Sequence, residues 1–201
     1  MPQPSLKRTT KEEILRLAVP LFAEHGYESV SMRDIAAAVG IQAPALYYHF
    51  SDKQSLYLAV MDHAFEGQLK RPLDALNSTE PALTRLQNFL ALMVEDLSNE
   101  PNLLLLLQRE RLDGDDSRKR LLIDNIFAPP LHALSRVMAE LAPEQDAALL
   151  SMSITGMVMH LLELRSTARL LPGWKPEHDD PNYLIRHIHG ILRALFAADH
   201  G

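Results

Sequence analysis

Between Ser31 and Lys53 the chain reads SMRDIAAAVGIQAPALYYHFSDK. Ser31 and Asp34 stand at capping-box spacing ahead of Ile35, Ala36 and Val39, the apolar face of a short helix. Gly40 supplies the left-handed backbone that ends it. A second short helix runs from Gln42 to Phe50, and the Ala36-Ala37-Ala38 cluster lets the two approach closely. Two short helices across so tight a turn make a helix-turn-helix, whose second helix lies in a DNA major groove.

That second helix is unusual for a purely structural one. It places Tyr47, Tyr48 and His49 together, while Leu46 and Phe50, four apart, face inward. The phenol and imidazole tips are thereby left outward, in reach of phosphates. Pro44 and Ala45 keep its leading end slim enough for a groove about 12 Å wide, and its first amides are open to anions. On the N-terminal side, Thr10-Lys11-Glu12-Glu13 is a capping box opening a stripe of Ile14, Leu15, Ala18, Leu21 and Phe22 that stops at Gly26. On the C-terminal side, Ser51-Asp52-Lys53-Gln54 is a third box, before Leu56, Val60, Met61 and Phe65.

Farther along, proline marks the boundaries. Pro72 is expected to follow a helix of about 53–70; Pro81, Pro101, Pro143 and Pro181 stand where first turns begin. Helices are expected near 80–98, 102–111, 117–141, 144–170 and 181–198, with Pro129-Pro130 splitting the third of these near Ala128. The stretch 171–180, LPGWKPEHDD, is expected to be a loop. No strand periodicity occurs, so the chain is expected to be all-α: a three-helix unit over 1–53 joined to a larger helical body over 54–201.

Composition narrows the function. The chain has 201 residues, 47% apolar and 23% charged, enough for a packed core and unlike a disordered chain. Cysteine is absent, which excludes disulfides, thiolate catalysis and thiolate metal sites. The longest apolar run, Leu103 to Leu107, falls far short of the roughly 18 residues of a membrane span. The opening MPQPSLKRTTKEE has no apolar signal region, so a soluble, cytoplasmic protein is expected. The net charge is −6, but residues 1–53 hold six Lys/Arg against six Asp/Glu; the deficit lies entirely in the body. A neutral N-terminal unit leaves room for a locally positive face.

From Thr10 to Lys53 the chain resembles the DNA-binding domain of TetR-family transcriptional regulators. The matching elements are Ile14, Ala18, Leu21-Phe22, Gly26-Tyr27, Val30-Ser31-Met32, Ile35-Ala36, Val39-Gly40-Ile41, Leu46-Tyr47-Tyr48-His49-Phe50 and Lys53. The resemblance implies that Ser31, Tyr48 and Lys53 contact phosphates. Arg33 reads a guanine, whose O6 and N7 match its fork. Gln42, Ala43, Pro44, Ala45 and Tyr47 line base edges, His49 sits beside the backbone, and Lys7 and Arg8 form an arm. Many members carry Ser or Thr where Gln42 stands, and often a polar residue at Ala43, so this helix offers base edges fewer polar groups.

In the body, the helix expected near 144–170, with its run AALLSMSITGMVMHLLELRSTARLL, is apolar nearly all round, so it is expected to be covered on more than one side. The segment 183–196 carries a stripe of Leu184, Ile188, Ile191, Leu192 and Leu195. The resemblance implies that these two helices pair with their symmetry mates in a homodimer, which suits a palindromic operator. Met93, Met138, Met152, Met157 and Met159 are adaptable side chains suited to a pocket for an apolar ligand. Phe89, Met93, Met152, Met159, His160 and Glu163 are the candidate lining, with His160 and Glu163 as its polar end. His187 and His189, two apart, face different ways, so no metal site is expected, and no catalytic constellation or cofactor motif stands out. The expectation is a ligand-responsive regulator, not an enzyme: a homodimeric repressor of double-stranded operator DNA, released by a small, largely apolar effector. The alternative is a helical small-molecule-binding or catalytic protein whose trihelix is only structural. Arg33, Tyr47-Tyr48-His49 and Lys53 discriminate, because a structural trihelix has no reason to keep them together.

Overall fold

The computed structural model describes residues 10–113 and 115–196; Lys7 and Arg8 lie outside them. The described chain is helical, with α1 (Lys11–Ser29), α2 (Met32–Val39), α3 (Ala43–His49), α4 (Lys53–Leu76), α5 (Ala82–Asn99), α6 (Pro101–Asp113), α7 (Asp116–Leu122), α8 (Ala128–Leu141), α9 (Ala147–Glu163), α10 (Arg165–Ala168) and α11 (Pro181–Phe196). A π-turn, Ile123–Phe127, precedes α8, and a 3-10 turn, Pro176–Asp179, lies in the loop before α11. No strand occurs among the described residues. Two compact units emerge. The first gathers the chain up to Glu66 with Asn102–Asp124, the second Gly67–Pro101 with the chain from Asn125.

In the first unit, the Glu13 amide donates to Thr10 Oγ1 at 3.1 Å, so Thr10 caps α1 as its spacing predicts. Ile14, Ala18 and Phe22 are fully buried along its inner stripe. Gly26 interrupts the helix with φ +78° and ψ 167°. A Cβ there would stand 2.9 Å from Asp113 Oδ2, so backbone and space both demand glycine.

The α4 cap falls one residue later than the spacing predicts. The Ser55 amide donates to Asp52 Oδ1 at 2.7 Å, and the Asp52 amide to Ser55 Oγ at 3.2 Å. A carboxylate accepts more strongly than the Ser51 hydroxyl, so Asp52 takes the cap. Pro72 does not end α4, which continues to Leu76. An internal proline removes one backbone bond. Against that loss, Leu76 is 1% exposed and Arg71 Nη1 donates to Asp96 Oδ1 at 3.2 Å.

In the second unit, α5 packs on α8, α9 and α11, and α8 packs on α9. Leu86, Leu90, Val94, Leu134, Val137, Met138 and Val158 form its center. The break before Ala128 is where Pro129-Pro130 placed it. Pro143 does not open α9. Asp146 caps it instead, accepting from the Ala148 and Leu149 amides at 2.9 Å each. The expected 144–170 helix also breaks at Leu164, before the short α10.

The stripe assigned to a dimer interface needs correction. Leu184, Ile188 and Leu192 are buried within the chain, where α11 packs on α5 and His189 Nε2 lies 3.1 Å from the Gln87 carbonyl. Only Leu195 is exposed, with Ile191 half-buried. An amphipathic stripe shows that something covers it, not whether the cover is the same chain or another.

Candidate nucleic-acid interface

The turn between α2 and α3 is built by local hydrogen bonds. Ser31 and Asp34 complete the expected box: the Asp34 amide donates to Ser31 Oγ at 3.2 Å, and the Ser31 amide and hydroxyl donate to Asp34 Oδ2 at 2.8 and 2.6 Å. The Ser31 bonds hold the Asp34 carboxyl below its ordinary range, and those from Ser55 and Ser51 do the same for Asp52. Gly40 sits at φ +79°, ψ 29°. Its amide bonds the Ala37 carbonyl at 3.1 Å, and the Ile41 amide bonds Ala36 at 2.9 Å, the paired arrangement of a Schellman ending.

This ending sets where α3 starts. Leu46 is fully buried and Phe50 nearly so, fixing the inner face of α3 as the four-residue spacing predicts. Tyr47 is 51% and Tyr48 85% exposed, far more than aromatic side chains with a structural role would be. Gln42, Pro44 and Ala45 are exposed and Ala43 half-buried; Gln42 makes no cap bond with its side chain. His49 is half-buried, its ring 5.4 Å from that of Tyr48. Arg33 is exposed on α2. All ten of the residues expected at DNA fall within unit 1.

Two of them already have work within the fold. Both Ser31 donors serve the α2 cap. Lys53, half-buried, donates to the Glu28 carbonyl at 3.2 Å and stands 4.3 Å from the center of the Tyr27 ring.

Behind this surface lies a buried polar cluster that the sequence pattern does not reveal. Arg118 is only 2% exposed. Its Nε donates to Glu110 Oε2 at 2.9 Å and its Nη2 to the Asp113 carbonyl at 3.0 Å. The Tyr57 hydroxyl donates to Glu110 Oε2 at 2.9 Å. Burial, and then the Glu110 carboxylate, push the Tyr57 hydroxyl far above the ordinary phenol range, so it remains a donor. Arg109 Nη2 donates to the Glu24 carbonyl at 2.6 Å, a further tie between α6 and α1.

The effector residues fall in unit 2 on both sides of their helices. Phe89 is buried, and Met93, Met159 and Glu163 are half-buried. Met152, 69% exposed, and His160, also exposed, face away from the chain's core. The expectation that these two line a cavity inside the body is therefore corrected. The inner row of α9 is Ser151, Ile154, Val158 and Leu162, and a helix apolar all round does not announce which row that is. Among the described residues, no helix is long and apolar enough to cross a membrane.

Residues 14–60 match the profile described as bacterial regulatory proteins, tetR family. Residues 82–198 match the C-terminal domain of the HTH-type transcriptional dual regulator CecR. The chain belongs to the TetR family. This TetR-family chain is 31% identical over 98 residues to the HTH-type transcriptional repressor KstR2 of Mycobacterium tuberculosis (strain CDC 1551 / Oshkosh), 49% of each chain. It thus spans about half the length of that curated relative. Its fold is similar to FadR from Bacillus subtilis, solved with stearoyl-CoA, at TM-score 0.74 and 17% identity over 91% of this chain and 97% of that one. It is also similar to AibR, solved with isovaleryl coenzyme A and operator DNA, at TM-score 0.70 and 20% identity over 94% and 98%. DNA binding and transcription regulation are the family's work, and the relatives named here are regulators.

Proposed function

We propose that the protein is a repressor that binds a palindromic operator as a homodimer and leaves it when a small, largely apolar effector binds. The carrying observation is the outward face of α3, where Tyr47 and Tyr48 are exposed on a helix anchored by buried Leu46. In this reading Tyr48, Lys53 and Ser31 hold phosphates; the Ser31 hydroxyl turns to DNA while its amide keeps the Asp34 bond. Gln42, Ala43, Pro44, Ala45 and Tyr47 face base edges, with His49 beside the backbone. Arg33 reads a guanine, so Arg33→Ala is expected to cost about 1–3 kcal/mol in operator binding and relax one base position. Gel shifts on single-base operator variants check this; an unchanged preference at every position speaks against it. Residues 1–53 are the DNA-reading part, 54–201 the effector and partner part, and the place of action is the cytoplasm.

For the homodimer, the outward row of α9 replaces the buried α11 stripe. Leu149 and Met152 are 63% and 69% exposed, with Gly156 and His160 on the same row, and Leu195 adds an exposed apolar side chain from α11.

For the effector, Phe89, Met93, Met159 and Glu163 remain the candidate lining, between α5 and α9. The acyl-coenzyme A molecules held by two similar structures have an apolar chain and a polar end, which fits the effector class expected here. Calorimetry with stearoyl-CoA, with and without operator, tests the coupling. Linkage requires the operator to lower effector affinity by the factor the effector lowers operator affinity, typically about 5–150-fold. Equal effector affinity in both runs refutes release.

A further inference from the structure

Arg118 of α7 is a buried charge that the DNA-reading motif does not use. Its guanidinium lies 4.1 Å from the center of the Tyr27 ring, and its Nη1 is 3.9 Å from Glu28 Oε1. Lys53 meets the same two residues: its Nζ is 4.3 Å from the Tyr27 ring center and donates to the Glu28 carbonyl at 3.2 Å. We propose that Arg118 is a positioning residue for DNA binding, which through Tyr27 and Glu28 fixes where Lys53 presents its ammonium to a DNA phosphate. This rests on the reading that Lys53 contacts phosphate.

The need for such a residue follows from Gly26. With φ +78° and ψ 167°, it breaks the helical ladder of α1 just before Tyr27. Beyond this kink, side-chain contacts add to what holds Tyr27 and Glu28 in place. Besides Lys53, the Tyr27 ring meets three groups: Phe22 with ring centers 6.4 Å apart, Tyr57 at 5.0 Å, and the Arg118 guanidinium. Arg118 is itself locked by Glu110, and Glu110 by the Tyr57 hydroxyl on α4, the helix that carries Lys53. Lysine is a flexible stem with three donors. Docking one donor on the Glu28 carbonyl leaves two for a phosphate and removes rotamer freedom before DNA arrives. A misplaced Tyr27 loses this preorganisation, although Lys53 keeps its charge.

The test uses the full chain and a duplex that the wild type selects from a random-sequence pool. The double variant Arg118→Met/Glu110→Gln removes both buried charges, so neither is left alone. Binding is titrated between roughly 50 and 200 mM salt, beside Lys53→Met. The double variant is expected to bind about tenfold more weakly and to lose roughly one from its salt slope per protomer, as Lys53→Met does. Adding Lys53→Met to it should change nothing more. A wild-type salt slope in the double variant, or a loss that adds in full to that of Lys53→Met, overturns the proposal. A purely structural role weakens binding at unchanged slope and counts on that side. Should the double variant not fold, Tyr27→Leu removes the shared ring and leaves the Arg118–Glu110 pair. A flattened slope then supports the proposal, and a wild-type slope overturns it. A wild type that selects no DNA defeats the DNA-binding reading itself, and this inference with it.

Discussion

Leu192→Glu is expected to unfold the second unit rather than to separate two folded chains. Leu192 is fully buried where α11 packs on α5. A carboxylate there is cut off from water, and an unpaired buried charge costs several kcal/mol or more. A domain's whole stability is only about 5–15 kcal/mol. Urea melts followed by circular dichroism should therefore show the helical signal collapsing at much lower denaturant. Met152→Glu gives the contrast, because Met152 is 69% exposed on the outward row of α9. It should leave the melt near that of the wild type and, with α9 as the homodimer face, turn the sedimenting species into a folded monomer. A Leu192→Glu chain with a wild-type melt would contradict the packing described above.

Arg118→Ala should strongly destabilise the first unit. It leaves Glu110, 8% exposed, without the guanidinium that donates to both its oxygens at 2.9 and 3.2 Å. Removing one partner of a buried pair typically costs about 3–5 kcal/mol, because the other charge stays buried alone. Adding Glu110→Gln to Arg118→Ala should recover much of that loss, since a neutral amide needs no counter-charge. Denaturant melts of the two variants check this. A loss below about 1 kcal/mol for Arg118→Ala, the scale of an exposed pair, would contradict the picture.

These two sites also show where the sequence is legible. The helix-turn-helix is written in bonds between residues three to five apart. Ser31 with Asp34, and Gly40 and Ile41 closing on Ala37 and Ala36, are of this kind, so spacing alone places them. The inward Leu46 and Phe50 and the outward Tyr47 and Tyr48 follow from the same periodicity. What spacing misses depends on partners far along the chain. Tyr57 and Glu110 are separated by 53 positions, and no local pattern pairs them. The α11 stripe was visible, but not that α5 covers it. In α9 the apolar residues encircle the helix, so the inner row at Ile154 and Val158 was settled by packing. Pro72 reads as a stop, yet the burial of Leu76 carries α4 through it.

The most direct test of the DNA-reading face is equilibrium binding to two labeled duplexes of equal length and composition. One carries the palindrome selected by the protein and the other its shuffled sequence, and both are followed by anisotropy as salt is raised. Recognition through α3 predicts a preference of at least about a thousandfold for the palindrome, with binding to both duplexes falling steeply as salt displaces the phosphate contacts. Equal affinity for the two duplexes at every salt concentration would contradict it.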